Sequence, residues 1–396
     1  MAPLTFTQAR ERVFAEVRAS APSPAAETVP LLDAVGRILA GEVRADRDYP
    51  PVARSVRDGF ALRAADLPSD LYVIGEVRAG ESFDRELGPR EAVEIMTGAP
   101  VPRGADAVVM VEHVSRRAGC ISTEQPIRAG DAINPQGSEA RLGDVVLPAG
   151  RVIDFAGIGA LATVGRTEVS VYRKPTVAII ATGDEIVEVG ETPRDYQVRN
   201  SNACSLAIQI ARAGGVPEIL PVARDTYDST RALVERGLAS DLLLISGGVS
   251  AGKYDIVEKV LADCGAEFYF DRIRVQPGQP LVFGKARDRF FFGLPGNPVS
   301  TMVTFEAFAR AALELVAGQA DPMLPFVQAR LTEPFRQRPG LTRFLPARLE
   351  TGNRVTPIKW TGSSDVFAAA RASAFIVTFP QNENHEFGEW VRVLLK

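Results

Sequence analysis

Short apolar runs alternate with amphipathic segments through the middle of the chain, from about residue 175 to residue 318. The runs "TVAIIA" (176–181), "EILPVA" (218–223) and "DLLLIS" (241–246) predict buried strands. Between the first two, the segment 200–215 has apolar positions three and four residues apart and ends in glycines, which is typical of a helix. This alternation predicts a three-layer α/β/α domain whose sheet is mostly parallel, with helices on both faces.

The flanking segments have different patterns. An amphipathic helix is predicted from Phe6 to about Val17, and a second, short helix over 31–40. Elsewhere, β-like runs alternate with Gly/Pro turns. We therefore predict a multidomain α/β plus β protein. Its four expected domains are a helical/strand linker domain (1–48 and 141–174), a β-rich inserted domain (49–140), the α/β domain (175–318) and a small C-terminal β-barrel or sandwich (319–396).

Composition and charge restrict the classes of partner. The net charge of −4 gives no general reason to expect nucleic acid, so any anion must be held by local amides and a few placed cations. Three irregularly spaced cysteines fit a reducing compartment, and two histidines cannot assemble a zinc-type ligand set. No apolar run approaches the roughly 20 residues that span a bilayer. The sequence thus predicts a soluble, cytoplasmic protein that does not bind membranes.

Four polar, glycine-containing loops each follow a predicted strand of the α/β domain. Because ligands bind beyond the carboxyl ends of parallel strands, we expect these loops to meet at one edge of the sheet. A long helix should follow the last of them, with Asn297 as its N-cap and Pro298 in its first turn. The loops are 182–185, 224–226, 246–255 and 294–298.

The chemistry of these loops indicates a phosphoanhydride or nucleotide site. Glycine-rich turns and helix N-termini offer backbone amides to phosphate oxygens. Asp184, Glu185, Asp225 and Asp255 offer the hard oxygen ligands that Mg²⁺ takes together with water and substrate phosphates. Each element alone also has a structural interpretation, since an isolated aspartate commonly forms a turn or caps a helix. A P-loop is not indicated, because Lys253 is followed by tyrosine rather than Ser or Thr.

Seven segments, taken in order, resemble the molybdopterin molybdenumtransferases, the bacterial counterparts of the C-terminal domain of gephyrin. The resemblance covers essentially the whole chain. Singly the segments are weak signals, but their order and spacing are specific. They are "RSVRDGFAL" (54–62), "IMTGAPVPRGADAVVMVE" (95–112), "LGDVVLPAGRVI" (142–153), "IIATGDEIV" (179–187), "SGGVSAGKYD" (246–255), "QPGQPLVFGK" (276–285) and "LPGNPVS" (294–300).

The resemblance implies an activity and an assembly. Members of this family act on adenylylated molybdopterin and molybdate, cleave the phosphoanhydride with Mg²⁺, release AMP and leave the metal on the pterin dithiolene. They are elongated homodimers whose active cleft lies between the α/β domain of one protomer and the β-rich domain of its partner. A molybdopterin adenylyltransferase and apo-molybdoenzymes are further implied partners.

The matching positions carry the family's site residues over to this chain. The implied catalytic residues are Asp58, Thr97, Glu185, Asp225 and Asp255, of which Glu185, Asp225 and Asp255 are also the implied metal ligands. The implied substrate-binding residues are Glu139, Ser246, Gly247, Gly248, Ser250, Arg272, Gln276, Pro295, Gly296, Asn297 and Pro298. Asp58 and Thr97 would enter the site from the partner chain.

The chain departs from the family pattern at its expected lysines. Where relatives commonly have a "KPGKP"-like segment, this chain has Gln276 and Gln279, which can donate a hydrogen bond but bring no charge. Arg272 best matches another basic position, and Arg54 and Arg57 are candidates to compensate for the missing lysines. Two alternatives stay open on the sequence: a molybdopterin adenylyltransferase-like enzyme of the same α/β fold, and a scaffold that binds the pterin without chemistry.

Overall fold

The computed structural model describes residues 2–248 and 256–396, and within them three six-stranded sheets organise the chain. No helix among these residues has the length and apolar character needed to cross a membrane. The elements of the first 174 residues are α1 (Phe6–Ser20), β1 (Ala26–Pro30), β2 (Val43–Arg44), β3 (Arg54–Ser55), β4 (Gly59–Leu62), β5 (Leu71–Val77), β6 (Glu91–Ile95), β7 (Ala107–Met110), β8 (Ser115–Arg117), β9 (Cys120–Ser122), β10 (Ile133–Asn134), β11 (Val145–Leu147), α2 (Phe155–Thr163) and β12 (Glu168–Tyr172).

The inserted segment forms a sheet of order β7-β4-β6-β5-β9-β8. Its central strand β4 pairs antiparallel with β6 and with β7. Phe60 and Leu62 of β4 are buried with Val109 of β7 in a small core on one face of the sheet. The start of β4 and the end of β6 therefore lie side by side, with Gly59 opposite Ile95.

The predicted helix over 31–40 is wrong. Only a 3₁₀ turn, Leu31–Ala34, forms there, and the chain then becomes extended, with Leu39 bridging Val171. Gly36 explains the change, because it adopts a positive φ of 73° that ends the helical path. Leu39 is buried in the linker core, so its apolar character reflects tertiary packing rather than a helical face.

The central domain contains a second sheet of order β16-β13-β17-β21-β20-β18. Its first four strands are parallel, and β20 and β18 complete the sheet in antiparallel pairs. The elements are β13 (Thr176–Ala181), β14 (Ile186–Val187), β15 (Val198–Arg199), α3 (Ser201–Arg212), β16 (Val216–Ile219), α4 (Tyr227–Gly237), β17 (Leu242–Ser246), α5 (Ile256–Asp263), β18 (Glu267–Arg272), β19 (Val275–Gln276), β20 (Pro280–Ala286), β21 (Arg289–Leu294), α6 (Pro298–Thr304), a π-helical turn (Phe305–Ala309) and α7 (Arg310–Val316).

Helices cover both faces of this sheet, as the sequence predicted. Along β13, Val177 and Ile179 point into one core and Ala178 and Ile180 into the other, which is the two-residue alternation of a strand buried on both faces. The strand predicted over 218–223 instead covers Val216–Ile219. The pairing with β13 then shifts by one residue, because the N–H of Leu220 donates to Ile179 whereas the next donor, Ala223, reaches Ala181.

Helix α1 packs on the central domain rather than on the linker with which the sequence grouped it. Its buried residues Phe6, Ala9, Val13 and Val17 belong to the same core as Val177. Thr5 caps the helix, its side chain accepting from the backbone of Gln8 in a reciprocal capping box.

Arg10 anchors helix α1 to the π-helical turn. Its guanidinium donates to the carbonyl of Ala307, and Glu314 lies close enough to oppose the effect of burial, which lowers the pKa of Arg10 to about 10. Arg10→Met keeps the apolar stem but removes the donor, and should cost about 2 kcal/mol of stability. Arg12→Met is the matched control, because Arg12 pairs with Glu16 on the exposed side of the same helix. Equal urea midpoints for the two variants would contradict the anchoring role.

The C-terminal segment forms a closed barrel. Five strands run in the order β24-β25-β22-β28-β26, and a direct β24–β26 pairing closes the ring, so the barrel and not the sandwich is correct. Strand β19 joins β24 in parallel and ties the barrel to the central domain. The elements are β22 (Phe326–Leu331), β23 (Phe335–Arg336), β24 (Thr342–Glu350), β25 (Arg354–Pro357), α8 (Val366–Arg371), β26 (Ala374–Thr378), β27 (Asn384–His385) and β28 (Trp390–Leu395).

Candidate functional site

A cavity of about 910 Å³ opens at the carboxyl edge of the central sheet. Its walls come from the turns after β13, β17 and β21, from the start of α3, from the segment leading into β20, and from a loop of the barrel. The lining residues are Ala181, Thr182, Glu185, Ile186, Val198, Arg199, Asn200, Ser201, Asn202, Ser246, Gly247, Gly248, Gln276, Pro277, Gly278, Gln279, Pro280, Pro295, Gly296, Asn297, Pro298, Ser300, Trp360, Gly362, Ser363 and Ser364. All four loops lie at this edge, as expected, since the strand before 224–226 bridges Thr182 at Ala223, but only the other three loops line the cavity.

The turn after β17 can only be built with glycine. Gly247 and Gly248 have φ values of +91° and +64°, and a Cβ on Gly248 would lie 2.7 Å from Oγ1 of Thr182. The N–H of Gly247 donates to the carbonyl of Leu294 at 3.1 Å, so this amide is already committed within the protein. Of the predicted phosphate cradle, Ser246, Gly247 and Gly248 line the cavity, while Ser250 lies outside the described residues.

The turn after β21 connects the central domain to the barrel. Pro298 is the first residue of α6 and Asn297 its N-cap, as predicted, but the Asn297 side chain makes no capping bond. Its Nδ2 instead donates to Oγ of Ser363 in the barrel at 2.8 Å. The backbone N–H of Val299 donates to the carbonyl of the same serine at 3.0 Å, so this turn holds two domains together.

The predicted acidic residues do not all lie on the cavity wall. Glu185 lines it, whereas Asp225 is exposed and outside the lining. The backbone N–H of Asp225 donates to Oδ1 of Asp184 at 3.3 Å, which joins the 182–185 and 224–226 turns. Asp255 lies outside the described residues.

The described residues include no cluster of three side chains suited to hold a metal ion. Mg²⁺ does not require one, since it commonly takes one or two carboxylates plus waters and substrate phosphates. Glu185 and Asp225, on turns that touch each other beside a glycine-rich cavity, fit such a partial set of donors.

The Gln276 side chain accepts a hydrogen bond from Arg343 of β24. Gln276 also lines a neighbouring cavity of about 720 Å³, whose wall carries Arg336, Arg338 and Arg343. Burial, and then the nearby Arg338, lowers the pKa of Arg343. Sequence reasoning missed Arg343 because it lies 67 residues from Gln276 and no local motif marks it.

Arg272 and Glu139 lie away from the cavity lining. Arg272 ends β18 and acts on Glu258, whose pKa is raised by burial and then by Asp271, while Arg272 lowers it. Glu139 accepts from Nδ2 of Asn134 at 2.9 Å, at the border of the inserted domain.

Asp58 and Thr97, from distant parts of the sequence, meet at the edge of the inserted sheet. Oδ1 of Asp58 accepts from the backbone N–H of Thr97 at 2.6 Å and from its hydroxyl at 2.7 Å. These two bonds, the backbone one first, lower the pKa of Asp58. Both side chains are exposed. The sequence alone would interpret Asp58-Gly59 as a turn, and the pairing arises because β4 and β6 are neighbours.

The lowered pKa of Asp58 gives a pH prediction. Thr97→Val removes the hydroxyl but leaves the backbone donor, so the pKa of Asp58 should rise part of the way towards its ordinary value of about 4. The carboxylate would then protonate at a higher pH as the solution is acidified. If activity needs the carboxylate, the acid limb of the kcat/KM profile moves upward in Thr97→Val but not in Thr97→Ser. Identical acid limbs in the two variants would contradict this role of the hydroxyl.

Three family models match the chain in succession. They describe a MoeA N-terminal region (domains I and II) over residues 4–165, a probable molybdopterin binding domain over residues 178–315 and a MoeA C-terminal region (domain IV) over residues 328–396. The chain is 35% identical to a molybdopterin molybdenumtransferase of Bacillus subtilis, over 93% of this chain and 89% of the relative. It is 32% identical to that of Staphylococcus aureus, over 99% and 96%.

Solved structures extend the similarity to the fold. A molybdopterin biosynthesis moeA protein from Pyrococcus horikoshii superposes with a TM-score of 0.83 at 27% identity, covering 100% of both chains. A second structure of a molybdopterin biosynthesis protein from the same genus gives a TM-score of 0.73 at 33% identity, covering 99% of each chain. The multidomain α/β plus β architecture is thereby confirmed.

Proposed function

Since the chain belongs to the molybdopterin molybdenumtransferase family, and is thus a transferase of molybdenum cofactor biosynthesis, we propose that its substrates are adenylylated molybdopterin and molybdate. The phosphoanhydride of the pterin substrate is cleaved and AMP is released. Molybdenum from the molybdate becomes bound to the dithiolene of the pterin. The observation that carries the proposal is the cavity itself, because glycine turns line it and it shares Gln276 and Trp360 with a neighbouring cavity whose wall carries three arginines.

In this proposal, different parts of the site bind the pterin and the Mg²⁺ ion. The turns at Ser246 and Gly296 line the part of the cavity suited to the phosphorylated pterin. Glu185 and Asp225, with Asp255 as the third predicted ligand, would hold Mg²⁺ or orient the attacking water. When bound, Mg²⁺ supplies positive charge to the anhydride oxygens. This proposal rests on the donor chemistry of the described carboxylates, whose loops are joined at Asp184.

Arg343 takes over the anion-binding task of the absent lysines in this proposal. Its guanidinium contacts Gln276, and no ion pair engages Arg336, Arg338 or Arg343 within the described part of the chain. Arg343→Gln should raise the KM for molybdate about tenfold, the effect of losing a charged hydrogen bond of roughly 1.4 kcal/mol.

Arg348→Gln is the control for this prediction. Arg348 lies on the same strand, is exposed and already faces Glu350 at 3.4 Å, so its loss should leave the KM for molybdate within a factor of two. A molybdate KM that is unchanged in Arg343→Gln would remove Arg343 from the anion site. The same assay applied to Arg57→Ala tests whether the arginines at 54 and 57 compensate instead.

The active form in this proposal is a homodimer. No residue of the inserted domain appears in the described cavity lining, so Asp58 and Thr97 do not reach the site of their own chain in this arrangement. The linker domain exposes Leu32 at 75% and Phe155 at 88% of their surface, which supports a partner surface there. A second protomer would bury these residues and bring its Asp58–Thr97 pair to the cavity.

The direct test mixes the purified protein with adenylylated molybdopterin, Mg²⁺ and molybdate. AMP and the activity of a reconstituted apo-molybdoenzyme are followed together. Release of AMP that depends on molybdate, with matching reconstitution, supports the proposal. Formation of the adenylate from ATP would favour the adenylyltransferase alternative, and binding of the pterin without any turnover would favour the scaffold.

A further inference from the structure

Asn202 joins the two glycine turns of the cavity. Its Nδ2 donates to Oγ of Ser246 at 2.8 Å and to the carbonyl of Gly296 at 2.7 Å. Ser246 ends β17 and Gly296 follows β21, so one amide group spans two neighbouring strands at the edge where they end. Asn202 itself lies in the first turn of α3, whose N-cap Asn200 accepts from the backbone of Ala203.

The orientation of this amide follows from its partners. The carbonyl of Gly296 can only accept, so the group facing it must be the NH₂ and not the oxygen. Oδ1 of Asn202 is consequently turned away. It is buried and has no hydrogen-bond partner among the residues that the structure describes. An unpaired buried acceptor is destabilising, so this side chain does not maximise stability.

The two turns that Asn202 joins are in close contact. A Cβ on Gly296 would lie 3.7 Å from Cα of Gly247, and the Gly247 amide donates to Leu294. The space between the turns there would just hold a Cβ in ordinary van der Waals contact. Any change in the donor pair of Asn202 is therefore transmitted to the spacing of the turns.

We propose that Asn202 is a positioning residue that fixes the spacing of the Ser246 and Gly296 turns and, through it, the affinity of the cavity for the phosphorylated pterin. The inference rests on the proposed function for the identity of the ligand. Asn202 acts through the two turns, because its own free acceptor is buried. Turns that are already ordered bind a ligand more tightly, because no conformational entropy is lost in ordering them when the ligand binds.

Gln209 provides a matched control on the same helix. Two turns further along α3, its Nε2 donates to the carbonyl of Met302 at 3.1 Å and to Oε1 of Glu306 at 2.9 Å. Its Oε1 is also buried without a partner among the described residues. Gln209 thus makes an equivalent amide link between α3 and the helix beginning at Pro298, but it does not line the cavity.

The experiment measures the dissociation constant of molybdopterin, prepared anaerobically from a purified molybdoenzyme, together with the apparent melting temperature. Asn202→Ala should weaken molybdopterin binding about tenfold while the melting temperature changes by less than about 2 °C, because water can reach the turns it leaves. Gln209→Ala should lower the melting temperature and leave molybdopterin binding unchanged, since the acceptors of its amide, on Met302 and Glu306, lie between packed helices. Asn202→Asp, which keeps the shape but loses both donors, should behave like Asn202→Ala.

Each outcome decides a separate point. Binding by Asn202→Ala within twofold of the wild type overturns the inference. A parallel loss of binding and of thermal stability in Asn202→Ala also overturns it, because the residue is then merely structural. If the wild-type protein does not bind molybdopterin, the proposed function fails, whatever the variants do.

Discussion

Gly59→Ala is expected to disrupt the inserted sheet and to abolish activity. A Cβ at this position would lie 1.9 Å from the carbonyl oxygen of Val109 and 2.8 Å from its carbon, far inside any real contact. The neighbour is backbone and cannot rotate away, so β4 and β7 must separate. Their separation exposes Phe60 and Val109, which are buried together. We expect a local loss of about 3 kcal/mol or more.

Hydrogen exchange is the suitable measurement, because it reports the opening of the inserted sheet separately from that of the other sheets. Peptides from residues 49–140 should exchange faster in Gly59→Ala, and those from the central sheet should keep their protection. AMP release should fall because the neighbouring Asp58 no longer holds its position. Gly41→Ala is the control, since a Cβ there meets nothing within 4 Å. If the amides of β4 exchanged as slowly in Gly59→Ala as in the wild type, the contact between position 59 and Val109 would be able to widen without opening the sheet, contrary to the prediction.

The sequence predicted the parts of the site that follow from strand order. The turns at Ser246 and Pro295 come directly after apolar runs, and the carboxyl ends of parallel strands share one edge of a sheet. Their approach to each other needed no further information. In the first of these turns, Gly247 and Gly248 also indicated a positive-φ backbone that other residues rarely adopt.

The contacts between domains were not predictable in this way. Arg343 reaches Gln276, and Ser363 reaches Asn297, only because the barrel packs against the central domain. Neither arginine nor serine is unusual in its own segment. The same reason explains the error at residues 31–40, where Leu39 is apolar because it pairs with Val171 across the linker domain.

The second large effect concerns the two halves of the site. Asp58→Ala and Glu185→Gln should each lower AMP release more than about 100-fold, or roughly 2.7 kcal/mol in the barrier. Asp58 immediately precedes β4 of the inserted sheet, and Glu185 lies on the cavity wall. If one site takes its halves from two protomers, a heterodimer of these variants contains one fully intact site.

Mixing the two inactive variants under conditions of subunit exchange should therefore restore activity. Random exchange makes half of the dimers mixed, each with one good site of two, so recovery should reach about a quarter of the wild-type rate. Asp58→Ala mixed with Thr97→Ala is the control, because both changes affect the same half and leave no intact site. A site built within one chain would give no recovery in either mixture, and that result would separate the shared-site proposal from the enzymatic activity itself.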